Sequence, residues 1–404
     1  MNAPEGVHDA TAQEDLHDVT AAKDVHDVTA PEDVHDVTAA EAAHGTTASE
    51  SAHSTTGAEG SHDVVPPEAV LEVRGLRVGF DVSAGRLPAV DGVDLTLRRG
   101  EILALVGESG SGKSALSMSL VGLNRGPRTH IDGSVSFRGR ELVGASEREL
   151  RRVRGKDVAV VFQDALAALN PLHRAGAQVA ETIRTHGDVS RATAASRAVE
   201  LLGEVGIAGP ARAARAYPHQ LSGGMRQRVM IAMGLANDPA VLIADEPTTA
   251  LDVTIQAQVL ALLKRVQREH GTAVLLITHD LGVVAEVADR VAVMYAGRIV
   301  EQGTRDEVLF DPQHPYTMGL LGSVPPLHGP VPERLPAIPG APPAGVGRPP
   351  GCGFRPRCAF AHDGCDSRPE LRRRHGGPAH LDACVLTAQA RVRARAAQAA
   401  GAAV

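Results

Sequence analysis

Three short runs of uninterrupted apolar residues mark the chain: "EILALV" at 101–106, "AVLIADEP" at 240–247 and "AVLLITHD" at 273–280. Each has the length of a strand, and none alternates with polar residues, which predicts strands buried on both faces, as in a parallel sheet. The first is followed by the helix-forming "ALSMSLVGL", and "SRATAASRAVELLGEVGI" at 190–207 has helical spacing. There Ser190 can cap a helix whose apolar face includes Val199, Leu202 and Val205. Strands alternating with helices predict the α/β class.

Residues 1–64 have no such pattern. Histidines recur every nine residues, at 8, 17, 26, 35, 44, 53 and 62, which is an internal tandem repeat. Nine residues are two and a half helical turns and an odd number along a strand, so neither geometry gathers the histidines on one face. The segment carries fourteen Asp and Glu against Lys23 alone and no aromatic residue. It is expected to be a disordered acidic tail, because it holds too little apolar surface to offset the entropy of ordering. Loose capture of Zn²⁺ or Ni²⁺ by His and carboxylate pairs is the functional alternative. It lacks the basic start and apolar core of a signal peptide.

The whole chain of 404 residues has a formal charge of −7, which leaves the body mildly basic. No apolar run approaches the roughly 20 residues that span a bilayer. All four cysteines, Cys352, Cys358, Cys365 and Cys384, fall near the C-terminus. That clustering fits a metal or cluster site in a reducing compartment better than a secreted disulfide framework.

The candidate chemistry begins with "GESGSGKS" at 107–114, which is G-x4-G-K-S between a strand and a helix. Gly107, Glu108, Ser109, Gly110, Ser111 and Gly112 form a loop whose backbone N–H groups can cradle phosphates. Lys113 would reach the β and γ phosphates, and Ser114 would hold Mg²⁺. The 240–247 strand ends in two carboxylates, of which Asp245 suits the Mg²⁺ shell and Glu246 a general base toward the attacking water. The 273–280 strand delivers His279 toward the γ-phosphate.

Between these strands stands "HQLSGGMRQR" at 219–228, and with it the chain resembles the ATPases of ABC transporters. The resemblance implies an ABC-type P-loop domain over 66–310, with a parallel-sheet core, an antiparallel β part and a helical subdomain at about 164–222. It places Gln163 of "VFQDALAALNP" in the Q-loop, near Mg²⁺ and the catalytic water, and Asp252 of "TALD" in the D-loop. Phe80 falls where the family stacks an aromatic ring on adenine. Leu221, Ser222, Gly223, Gly224 and Met225 form the signature, which would clasp the γ-phosphate of ATP bound by another ATPase domain. Such a chain must therefore pair, with itself or with a paralogue, and the "GMRQR" wording resembles the subunit that pairs with a "GQRQR" paralogue.

"LFDPQHPYTMGLL" (309–321), "LPAIPGAPP" (335–343) and "GCGFRPRCAFAHDGC" (351–365) resemble the C-terminal extension, here 311–385, of oligopeptide/dipeptide permease ATPases. That subgroup also includes nickel and glutathione importers. The resemblance implies an ATP-hydrolysing subunit that powers peptide import from the cytoplasmic face of the membrane. Its partners would be two membrane permease subunits and, indirectly, an extracellular solute-binding protein. By chemistry alone the four thiolates suit Zn²⁺ or a [4Fe-4S] cluster equally. The resemblance favours the cluster. His362 and His375 read as solvated loop residues, and 386–404 as an Ala/Arg-rich tail or frayed helix. A soluble ABC ATPase working on ribosomes or DNA is the rival class, but it would carry two ATPase domains or a long insert and a strongly basic face. No nucleic-acid partner is expected.

Overall fold

A computed structural model describes residues 68–249, 251–324, 337–343, 345–348, 350–373, 377 and 379–399. The nonapeptide tail and His375 lie outside the described residues.

The strands in chain order are β1 (Ala69–Val82), β2 (Gly85–Arg98), β3 (Ile102–Val106), β4 (Thr129–Phe137), β5 (Arg140–Glu141), β6 (Val158–Val161), β7 (Val241–Asp245), β8 (Ala273–Thr278), β9 (Arg290–Tyr295), β10 (Arg298–Thr304) and β11 (Leu381–Asp382). They form two sheets. An antiparallel sheet runs β2-β1-β4-β5, and a larger one runs β11-β10-β9-β3-β8-β7-β6. In the larger sheet β6, β7, β8, β3 and β9 are parallel, while β10 and β11 add antiparallel at one edge.

The three apolar runs become β3, β7 and β8 at the centre of this sheet, buried at every position. Alternate residues face opposite layers. Leu242, Ala244, Val274 and Leu276 join the core beneath the helical region, whereas Val241, Ile243, Leu275 and Ile277 join the core shared with the antiparallel sheet. Two-faced burial is why these strands carry no polar alternation.

Helices occupy Ala165–Ala168, Ala175–His186, Arg191–Glu204 and Pro210–Arg215. Ser190 caps the third by accepting from the Thr193 N–H at 3.1 Å. Its inner face is built by Ala194, Ala198, Leu201 and Leu202, continued by Val205, while Val199 is only half-buried.

Within the Ala/Arg-rich stretch a helix spans Ala388–Ala399, with Ala394 fully buried and Arg391 only 1% exposed. Arg391 donates to Asp382 at 2.8 Å and to the carbonyls of Gln313, Cys384 and Leu386. An Ala/Arg alternation reads as a solvated face, yet here one arginine turns inward because a buried carboxylate awaits it. On the neighbouring strand β10, buried Glu301 accepts from the N–H groups of Gln313 (2.6 Å) and His314 (3.0 Å) and pairs with His380 at 2.7 Å. These contacts dock the helix Pro315–Gly322, which His314 caps by accepting from the Tyr316 N–H.

Candidate functional site

The loop 107–112 links β3 to the helix Lys113–Leu120. Gly112 has φ 107°, in the left-handed region, and a Cβ there would run into the Ala89 carbonyl, so glycine is required for the turn. The loop is pinned from outside by the Gly297 N–H, which donates to the Ser111 carbonyl at 2.7 Å. Lys113 folds back over the loop and donates to the carbonyls of Gly107 (2.7 Å) and Glu108 (2.9 Å). Burial lowers its pKa, against the raising influence of Glu246, Asp245 and Glu108. Ser109, Gly110 and Ser114 remain exposed, which leaves an open face above a helix N-terminus.

The carboxyl ends of β7 and β8 bring the acidic groups to the same place. Burial raises the Asp245 pKa, opposed first by hydrogen bonding from Ser114, and Ser117 Oγ lies 3.5 Å from its carboxylate. Glu246 follows in a turn with φ 48°, a left-handed conformation that is costly for a residue with a side chain. Its carboxylate, 17% exposed, is held from three sides. Gln163 Nε2 donates at 2.8 Å, Thr249 Oγ1 at 2.9 Å, and His279 Nδ1 lies at 3.2 Å. Gln163, Glu246 and His279 therefore meet, with Asp245 and Lys113 beside them. Thr249 was not singled out by sequence reasoning, although its place three residues after Glu246 in a turn could have suggested it.

Other expected site residues stand apart. Leu221 is buried, and Ser222 caps the helix Gly223–Leu235 by accepting from the Met225 N–H at 3.3 Å. Among the described residues, no hydrogen bond joins 221–225 to the phosphate loop. Asp252 caps the helix Val253–His270, accepting from the Ile255 N–H at 2.9 Å. Phe80 is half-buried on β1, opposite Leu87 of β2.

Cys352, Cys358, Cys365 and Cys384 line one small pocket, together with Phe354, Phe360, His314 and Leu386. Burial pushes the Cys358 thiol up to about 11 and Cys384 up to about 12, and raises Cys352. Among the described residues, no group of three or more His, Cys, Asp or Glu side chains is arranged to hold a single metal ion. Four thiols around one apolar pocket are nevertheless the donor set of a thiolate-bound cluster. His362 is exposed and caps a short turn through the Gly364 N–H.

The C-terminal segment also touches the phosphate loop directly, a contact that sequence reasoning missed. Arg357 forms a bidentate pair with Glu108, at 2.7 and 3.0 Å, and the Tyr316 hydroxyl accepts from the Glu108 N–H at 2.8 Å.

Comparison with known proteins agrees with this geometry. Residues 90–249 match the ABC transporter family, and residues 300–365 match the oligopeptide/dipeptide transporter C-terminal region. The chain is 51% identical over 293 residues to the oligopeptide transport ATP-binding protein OppD of Bacillus subtilis (strain 168), covering 72% of this chain and 82% of that protein. It is 47% identical to the OppD of Salmonella typhimurium (strain LT2) over 319 residues, 79% of this chain and 94% of the relative. Among solved structures, a dimeric ATP-binding cassette in a post-hydrolysis state, bound to ADP and Pi, superposes with a TM-score of 0.53. It is 29% identical, over 58% of this chain and 98% of that one.

Proposed function

This chain belongs to the oligopeptide/dipeptide (Opp) family of ABC transporter ATP-binding proteins, and from that premise we propose how its residues power oligopeptide import. ATP is the substrate. The backbone amides of the 107–114 loop and Lys113 bind its phosphates, and Phe80 stacks on the base. Ser114 and Asp245, with Gln163 beside them, hold a magnesium ion, which would neutralise charge on the phosphate oxygens. Glu246 accepts the proton of the attacking water. The arrangement that carries this reading is the three-sided grip of Gln163, Thr249 and His279 on the Glu246 carboxylate. A base must be aimed as well as basic, and the left-handed turn at Glu246 has the form of a strained, over-determined catalytic position. His279, beside that carboxylate, is placed to contact the γ-phosphate.

The signature 221–225 closes on ATP bound by a second ATPase domain, from a paralogue or another copy, and Asp252 lies at that seam. Binding then closes the pair and hydrolysis releases it. The pair works beneath two permease subunits at the cytoplasmic face of the membrane, and an external binding protein supplies the peptide. Among the described residues, no helix is long and apolar enough to cross a membrane, which fits a translocation path built by other chains. The chain divides into the 1–65 tail, the 66–310 ATPase domain and the 311–385 extension. The four cysteines hold a [4Fe-4S] cluster, which would tie together distant chain segments in the extension.

An anaerobic affinity purification from native membranes tests the reading, followed by ATPase assay in vesicles with and without peptide-loaded binding protein. Recovery of two permeases and a second ATPase, with hydrolysis stimulated by peptide, is expected. Recovery of ribosomes, or of no membrane protein, would overturn it.

A further inference from the structure

We propose that the C-terminal extension is part of the nucleotide site: Arg357 and Tyr316 are positioning residues that hold the phosphate loop through Glu108. This rests on the ATPase reading above and adds to it two residues from outside the nucleotide-binding motifs.

The contact is built rather than incidental. The Arg357 side chain is 5% exposed. Its Nη1 and Nη2 reach the two oxygens of Glu108 in a fork, and its Nε donates to the Pro339 carbonyl at 2.8 Å. Its guanidinium lies 5.8 Å from the Tyr295 ring centroid and 6.0 Å from that of Phe354. Tyr295, Tyr316 and Phe354 pack on one another, with Tyr295 and Tyr316 centroids 4.5 Å apart. A planar fork held by aromatic rings and a carbonyl has one orientation, so it fixes the carboxylate that it grips.

Two consequences for ATP follow. Glu108 is the second residue of the phosphate loop, and an unpaired carboxylate there would repel the incoming phosphates; Arg357 neutralises it. The Glu108 N–H, at the entrance of the loop, is tied to the Tyr316 hydroxyl, so the path of the backbone into the loop is set by a helix of the extension. Arg357 also lies in the turn between Cys352 and Cys358, whose thiols line the cysteine pocket. The state of that pocket therefore reaches the phosphate loop through one side chain, a step that rests on the cysteine reading.

The test uses the full chain, purified anaerobically, with ATP affinity measured by titration and folding by thermal melting. Arg357→Ala is expected to weaken ATP binding about tenfold, because it leaves Glu108 charged and unpaired. Arg357→Ala combined with Glu108→Gln is expected to return to within about threefold of wild type, since the repelling charge is gone. A role that was only structural would leave the double variant at least as weak as the single one, and that outcome overturns the proposal. Tyr316→Phe removes one hydroxyl without changing the packing, and about threefold weaker binding at an unchanged melting temperature is expected; wild-type affinity would remove Tyr316 from the proposal. Stripping the cysteine pocket with chelator and oxidant should lower ATP affinity in the wild type and not in the double variant. A loss that persists in the double variant, or no loss in the wild type, overturns the link through Arg357. Iron and sulfide content of the same preparations reports on the cysteine reading separately, and the Arg357→Ala result stands whichever way it falls.

Discussion

At the carboxyl ends of the central strands β7 and β8, Asp245 and Glu246 on one and His279 on the other are carried by strands of Val, Leu, Ile and Ala buried on both faces. On the far side of the same sheet, at β10 and β11, the buried groups are themselves charged: Glu301, His380, Asp382 and Arg391. An apolar strand tolerates change at the site it carries, because its stability comes from residues that do no chemistry. A set of buried charge pairs does not, because removing one partner strands the other in a dry interior. Substitutions at the nucleotide edge should therefore change rate and leave folding alone, whereas substitutions at the β10 side should release the extension.

Glu246→Gln should have the largest effect and the cleanest one. The amide keeps the shape that Gln163, Thr249 and His279 grip, so ATP binding and melting temperature are expected to match wild type. Hydrolysis in the assembled transporter should fall about a thousandfold, which corresponds to about 4 kcal/mol. Phosphate release in a single turnover measures it. A fall of less than tenfold would place the base elsewhere.

Arg391→Ala is the counterpart on the other side. It leaves Asp382 buried without its arginine and frees three carbonyls, at a cost of about 3 kcal/mol. Hydrogen exchange is expected to rise across 311–322 and 381–399 while β3, β7 and β8 stay protected. A uniform loss of protection would mean that both regions open together, and the contrast between them would fail.

The same contrast governs what could be read from sequence. β3, β7 and β8 are contiguous apolar runs, and the phosphate loop is a local pattern with fixed spacing, so both are legible in one dimension. Ser190, as a cap at the head of a helical period, is legible for the same reason. The Arg357–Glu108 pair joins residues 249 positions apart, and the His380–Glu301 pair joins residues 79 apart. No periodicity marks either. Arg391 sits among other arginines in an Ala-rich stretch, and only the buried Asp382 distinguishes it. Thr249 is one of two adjacent threonines, and its partner is fixed by a turn that only the backbone reveals.

His380 sharpens the comparison through pH. Burial, the largest single influence, disfavours its charged form, but the hydrogen bond to Glu301 together with the charges of Glu301, Glu307 and Asp311 outweighs it, and its pKa is raised. A raised value in the folded state means that the stabilisation is complete below the unfolded value of about 6.5 and is lost as pH rises through the folded value. Melting of the extension should therefore fall between mildly acidic and alkaline pH, with the nucleotide edge unaffected. His380→Gln should abolish this dependence and cost about 2 kcal/mol at the acidic end. A wild-type extension whose stability is flat over that range would show that His380 binds its proton equally well in the folded and unfolded states.

The smallest expected effect separates two roles that coincide at Asp252. Within the chain it is a helix cap, with its carboxylate accepting from the Ile255 N–H, and Asp252→Ala should cost about 1 kcal/mol of stability. Asp252→Asn keeps the cap, because an amide oxygen accepts the same bond, so its melting temperature should lie close to wild type. The two variants together isolate the charge. If Asp252→Asn folds normally but the paired ATPase hydrolyses ATP more slowly, the carboxylate works across the seam between subunits. If it hydrolyses at the wild-type rate, Asp252 belongs with the apolar strands as support, and the charged chemistry of this edge is confined to Lys113, Asp245 and Glu246.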